Sequence, residues 1–204
     1  MLYKTILFFL LGFNMHAQED TIPARFSIGA AYGFGHEFKN IDYSYSNSYI
    51  QCQLYYSLNP YGKWEYLLAL QPEINFARHQ LQNPYFVTPD EPDYEQKRAE
   101  YTKLKELREY ILNVAFLVKY NADGVFGFYA MGNIGPMITD TDTERLPKGF
   151  AFCDVFAIGI MIDMGMVVID LRPNVRHTSN LGLKEYNAGF NTYNIAMGVI
   201  FPLK

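Results

Sequence analysis

Eight stretches in which large apolar residues alternate with small or polar ones run through most of the 204 residues and limit what this chain can fold into. Alternation with a period of two puts one class of side chain on each face of an extended strand. The stretches are 25–37, 49–58, 64–77, 109–120, 125–134, 150–160, 167–177 and 192–203. In the first, Phe26, Ile28, Ala30, Tyr32 and Phe34 oppose Ser27, Gly29, Ala31, Gly33 and Gly35. In the seventh, Val167, Ile169, Leu171, Pro173, Val175 and His177 oppose Asp170, Arg172, Asn174 and Arg176. The sixth is ambiguous, because Asp154 interrupts it.

A soluble β-sandwich buries the apolar face and shows the polar one to water, whereas a membrane barrel turns the apolar face to lipid. Three features favour the barrel. Connections after the odd runs (38–48, 78–108, 136–149 and 178–191) are long, and those after the even runs are short. That is the order of external loops and periplasmic turns. The 17 Tyr and 16 Phe, many at run ends, suit the two interfacial girdles. The third is the N-terminus: Lys4 precedes the apolar run Ile6-Leu7-Phe8-Phe9-Leu10-Leu11-Gly12-Phe13, which is too short to span a bilayer and has the form of an export signal. Ala17 is the expected last residue removed, with no Cys after it to take a lipid anchor. The expected organisation is therefore a signal peptide (1–17) and one outer-membrane domain (18–204), an all-β, eight-stranded antiparallel transmembrane barrel. The chain closes on Phe201-Pro202-Leu203-Lys204 rather than on the terminal aromatic common in such barrels.

A net charge of −4 argues against a nucleic-acid partner. Cys52 and Cys153 fall on non-neighbouring strands and are expected to be unpaired, and neither has the spacing of a metal site. No metal or other cofactor is expected. Glu73, Glu109, Asp170, Arg172 and Arg176 read as an ion-pair network inside a narrow barrel. His36 and His79 read as polar rim residues, and the mixed charges of 94–108 as a solvated loop with a helical turn.

One stretch carries chemistry. His177 and Ser179 lie two apart, on one face of the seventh strand, at its external end. An imidazole beside a hydroxyl is the minimum for nucleophilic hydrolysis: the ring takes the hydroxyl proton and returns it to the leaving group, while a third group fixes the ring tautomer. Parity turns the pair toward lipid, in line with Val175. Asn191 opens the eighth strand on the same outward face and can meet His177 at the rim. A polar rim where strand gives way to loop accounts for the same residues without catalysis.

The segment Arg176-His177-Thr178-Ser179-Asn180-Leu181-Gly182-Leu183-Lys184, then Asn187-Ala188-Gly189-Phe190-Asn191 and Tyr193, resembles the C-terminal signature of PagL-type lipid A deacylases, the acyloxyacyl hydrolases of outer membranes. The resemblance implies removal of an ester-linked acyl chain from lipid A, with lipopolysaccharide of the outer leaflet as partner and the outer membrane as location. It implies Ser179 as nucleophile and His177 as general base, with Asn180 and Asn187 supporting the oxyanion or the loop. It also exposes a departure: the position that completes the triad is Glu in the best-known members and Asn191 here. Glu185, in the same loop, reads as a solvated carboxylate, with substitution for the triad acid as its other reading. The alternative reading is a non-catalytic barrel with a structural role or with loops that bind a partner.

Overall fold

The computed structural model describes residues 25–60 and 62–203, so the expected signal peptide, with His16 inside it, lies outside the described residues. Nine strand segments close into a ring of eight staves: β1 (Phe26–Glu37), β2 (Tyr43–Ser57), β3 (Trp64–Leu81), β4 (Lys105–Asn121), β5 (Phe126–Ile134), β6 (Pro136–Thr139), β7 (Gly149–Asp163), β8 (Val168–Ser179) and β9 (Phe190–Leu203). Every neighbouring pair is antiparallel, and β9 returns to β1 to complete the ring. β5 and β6 are one stave interrupted at Gly135, since both keep a single register against β4 and β7. Among the described residues no helix is long and apolar enough to cross a membrane.

The faces fall as alternation dictates. Phe26, Ile28, Tyr32 and Phe34 point out of β1, and Tyr193, Ile195, Met197 and Phe201 out of β9, all exposed. The ring leaves no unpaired strand edge, which is what a bilayer demands of a sheet. Inside, one glycine of β1 makes room for a tyrosine. A methyl group on Gly33 would stand 2.2 Å from the Tyr49 ring. That ring cannot step aside, because it lies under the Arg176 guanidinium at 4.4 Å and its hydroxyl accepts from Asn174 Nδ2 at 3.2 Å.

Charges fill the remaining space. Arg176 bonds Glu73 and also reaches Cys153 Sγ at 3.2 Å. Arg172 lies 3.7 Å from Asp170 and donates to Gln51 Oε1 at 2.9 Å. Tyr129 OH donates to Asp170 at 2.5 Å, and Glu109 accepts from Asn75 at 2.7 Å and Tyr45 at 3.2 Å. Arg172, Gln71, Glu109 and Asn75 are among the largest fully buried side chains, so the lumen is a packed polar core. Cys52 is exposed on the outer wall and Cys153 buried inside, both free.

Three sequence expectations change. The loop expected at 38–48 shrinks to 38–42, because β2 begins at Tyr43. Its upper half carries Ser44, Ser46 and Ser48 outward, where hydroxyls are as acceptable as apolar groups, so hydropathy does not mark the strand there while Tyr43 and Tyr45 pack inward. The loop expected at 136–149 shrinks to 140–148, because β6 occupies Pro136–Thr139 and β7 begins at Gly149. His79 is a buried residue rather than rim polarity: its Nδ1 faces Ser44 O at 3.1 Å and its Nε2 faces the Glu144 carboxylate at 2.9 Å, which ties the β6–β7 loop to the top of β3. The long β3–β4 loop contains a short helix, α1 (Tyr94–Tyr101), as its mixed charges suggested.

Candidate active site

At the external end of the barrel, three polar residues form a lateral row on the outward face. Asp154 of β7 pairs with His177 of β8, and His177 pairs with Asn191 of β9. The row immediately below is apolar, with Phe156 paired to Val175 and Val175 to Tyr193. The edge of Tyr193 meets the His36 ring at 4.1 Å, extending that lower row to β1. The sixth run's ambiguity is thereby resolved. Ala151, Cys153, Val155 and Ala157 are buried inside, which leaves Asp154 outside between Phe152 and Phe156. Sequence reasoning passed over Asp154 as a site residue, and its one signal was a charge interrupting an otherwise apolar face.

The His177 ring is oriented by a hydrogen bond. Its Nδ1 lies 2.8 Å from Asn191 Oδ1. An amide oxygen only accepts, so the neutral ring carries its proton on Nδ1 and keeps the lone pair on Nε2. His177 is exposed, as its parity requires. Ser179 shares the parity but departs from the expected exposure, being buried at 4%. Thr178 pairs with Phe190, so Gly189 stands opposite Ser179 and packs its backbone there. No hydrogen bond joins Ser179 to His177 among the described residues. Two residues on one strand face are separated by ~6.5–7 Å between Cα atoms, a span that side-chain rotation closes.

The loop between β8 and β9 is held by asparagines and by a neighbouring loop. Asn180 is fully buried; its N–H donates to Asn187 Oδ1 at 2.6 Å, its Nδ2 to Tyr186 O at 2.8 Å, and its Oδ1 accepts from Gly182 N at 2.9 Å. Asn180 is therefore a loop brace with its groups engaged, whereas the exposed Asn187 side-chain NH₂ makes no hydrogen bond among the described residues. Arg145, from the β6–β7 loop, donates to Gly189 O at 2.7 Å and Ala188 O at 3.3 Å while stacked 4.2 Å from the Tyr43 ring. The Gly189 N–H answers by donating to Arg145 O at 3.0 Å. No local pattern marks Arg145, because its partners are more than forty residues away. Tyr186 leans toward α1, and burial, followed by a hydrogen bond with Tyr101, holds its phenol above the usual range. Glu185 is exposed, lies within electrostatic reach of Lys97 on that helix, and makes no hydrogen bond with His177. Among the described residues no three His, Cys, Asp or Glu side chains converge to hold a metal ion.

Gly189 has two reasons to be glycine. Its φ is +60°, and a Cβ would stand 2.2 Å from Thr178 O. Gly189→Ala is expected to lift the loop off Ser179 and Asn191 and to lower any activity of the site about 10- to 100-fold, since ångström-scale displacement costs that much. Trypsin cleavage after Lys184 in the intact barrel should accelerate in parallel; equal cleavage rates would show the loop unmoved.

A family model described as lipid A 3-O-deacylase (PagL) matches residues 56–199. The chain belongs to the PagL family. Its fold is similar to that of the outer membrane enzyme PagL, with TM-score 0.50, 13% identity, and 86% of this chain and 99% of that chain covered. It is also similar to Neisserial surface protein A, with TM-score 0.52, 9% identity, and 90% and 100% covered. At such identities these likenesses speak for the fold alone, a closed antiparallel β-barrel. Comparison with curated protein sequences gives no match. At the level of its description, the PagL family is one of ester hydrolases acting on lipid A.

Proposed function

We propose that this PagL-family barrel removes the 3-O-linked acyl chain of lipid A, with Ser179 as nucleophile, His177 as general base and Asn191 as the residue that sets the ring tautomer. The observation that carries the reading is the 2.8 Å contact from His177 Nδ1 to Asn191 Oδ1, which leaves Nε2 as the basic nitrogen on the side away from β9.

Ser179 Oγ attacks the ester carbonyl as its proton passes to Nε2. The free NH₂ of Asn187 is the donor available to the tetrahedral oxyanion, while Asn180 keeps that loop in place. Collapse breaks the bond to the ester oxygen, which leaves with the proton from Nε2, and Ser179 keeps the acyl group. Water, deprotonated by Nε2, then releases the fatty acid and restores the hydroxyl. Val175, Tyr193 and Phe156, in the apolar row below, lie where an acyl chain in the outer leaflet would run. Export through residues 1–17 and residence in the outer membrane belong to the same proposal.

The test is mass spectrometry of lipid A from outer membranes containing the wild-type chain or Ser179→Ala. Loss of one acyl chain's mass with wild type alone supports the assignment. Unchanged lipid A in both would return the chain to a non-catalytic barrel whose loops bind a partner.

A further inference from the structure

On the outer wall, the imidazole of His177 stands between two neighbours on adjacent strands, and only one of them carries charge. Asn191 holds Nδ1 from β9 and is neutral. On the opposite side, Asp154 is the register partner of His177 across the β7–β8 ladder. Direct partners in an antiparallel pair share a face and hold their Cβ atoms ~4.5–5.5 Å apart. Asp154 is the one charged residue on the outward faces of β7, β8 and β9, whose other outward members include Phe150, Phe156, Ile158, Val175 and Ile195.

A lone carboxylate between Phe152 and Phe156 on a lipid-facing strand is unfavourable unless something nearby uses it. Proton transfer from Ser179 creates that use. The ring becomes an imidazolium at the membrane interface, where water screens charge poorly, and Asn191 offers it only a dipole. We propose that Asp154 is a positioning residue that supplies, from β7, the negative charge for the His177 imidazolium that Asn191 does not supply from β9. The work of a triad acid is thus divided: Asn191 fixes the tautomer and Asp154 balances the charge. The inference rests on the Ser179–His177 reading above.

The experiment measures fatty acid release by the detergent-solubilised, full-length barrel from purified lipid A in mixed micelles. Asp154→Asn, which keeps shape and removes charge, should lower kcat about 10- to 100-fold with KM little changed, less than the 10⁴ lost when a directly bonded triad carboxylate is made an amide. Asp154→Glu should retain most of the turnover. Asn191→Asp placed in the Asp154→Asn background should restore it, by moving the charge to Nδ1. That recovery also shows that the Asp154→Asn chain folds, as does its unchanged heat-modifiable migration. If wild type turns over, Ser179→Ala does not, and Asp154→Asn equals wild type, this inference fails while the catalytic reading stands. The inference fails too if Asp154→Asn is slow and Asn191→Asp gives no recovery. Absence of turnover in wild type overturns both.

Discussion

Ser179→Ala and His177→Ala are each expected to cut fatty acid release about 10⁴- to 10⁶-fold, with the double variant no slower than either alone. Nucleophile and base act as one unit: a hydroxyl without a proton acceptor is inert at neutral pH, and a base without the hydroxyl has no proton to take. The remaining rate comes from whatever Asn187 and the apolar row do for the ester unaided. Rates over purified lipid A in mixed micelles decide the matter. Losses that multiply in the double variant would mean that the two residues act independently, against a Ser–His mechanism. Ser179 is buried beside Gly189, so the proposed mechanism requires its hydroxyl to rotate toward Nε2.

Glu73→Ala should destabilise the barrel by about 3–5 kcal/mol, since it strands the Arg176 guanidinium in a lumen that holds the residue at 5% exposure. Cys153 and the Tyr49 ring remain as neighbours, and the nearby Glu109 carboxylate is already held by Asn75 and Tyr45. The temperature at which the folded band converts to the slower-migrating unfolded form should fall accordingly. Arg176→Met combined with Glu73→Ala should recover much of the loss, because a buried pair replaced whole costs far less than one partner removed. A single variant as stable as wild type would show that the lumen hydrates the cation. The result bears on the site as well. Arg176 anchors β8 from inside at the position next to His177, so the strand that presents this imidazole outward is held by a charge inward.

Most of the architecture could be read from the chain because a period of two encodes faces directly, and the outward rows of β1, β8 and β9 stay apolar up to the polar residues at their external ends. What hydropathy missed lies where the outward face stops meeting lipid. Ser44, Ser46 and Ser48 continue β2 by backbone pairing alone. Gly135 followed by Pro136 looks like a strand end, yet the stave resumes in the same register beyond it. Asp154 could not be assigned a face, because its inward neighbours Ala151, Cys153 and Ala157 are small and only weakly apolar, and the ladder to β8 decides its orientation. His177 and Asn191 were legible as partners from parity and loop order. The cover over Ser179 was not, since it depends on Arg145 reaching across from another loop.

The filled lumen has a kinetic consequence. With Arg172, Gln71 and Glu109 packed through its centre, the lumen offers no route to His177, and the polar row sits directly on the apolar one. On the proposed function, the lipid substrate reaches the ring sideways, by diffusion in two dimensions within a leaflet. Saturation will then follow the mole fraction of target lipid among its neighbours rather than its amount per volume of solution. Diluting the same target into inert lipid should slow the reaction even when the total in the tube is unchanged.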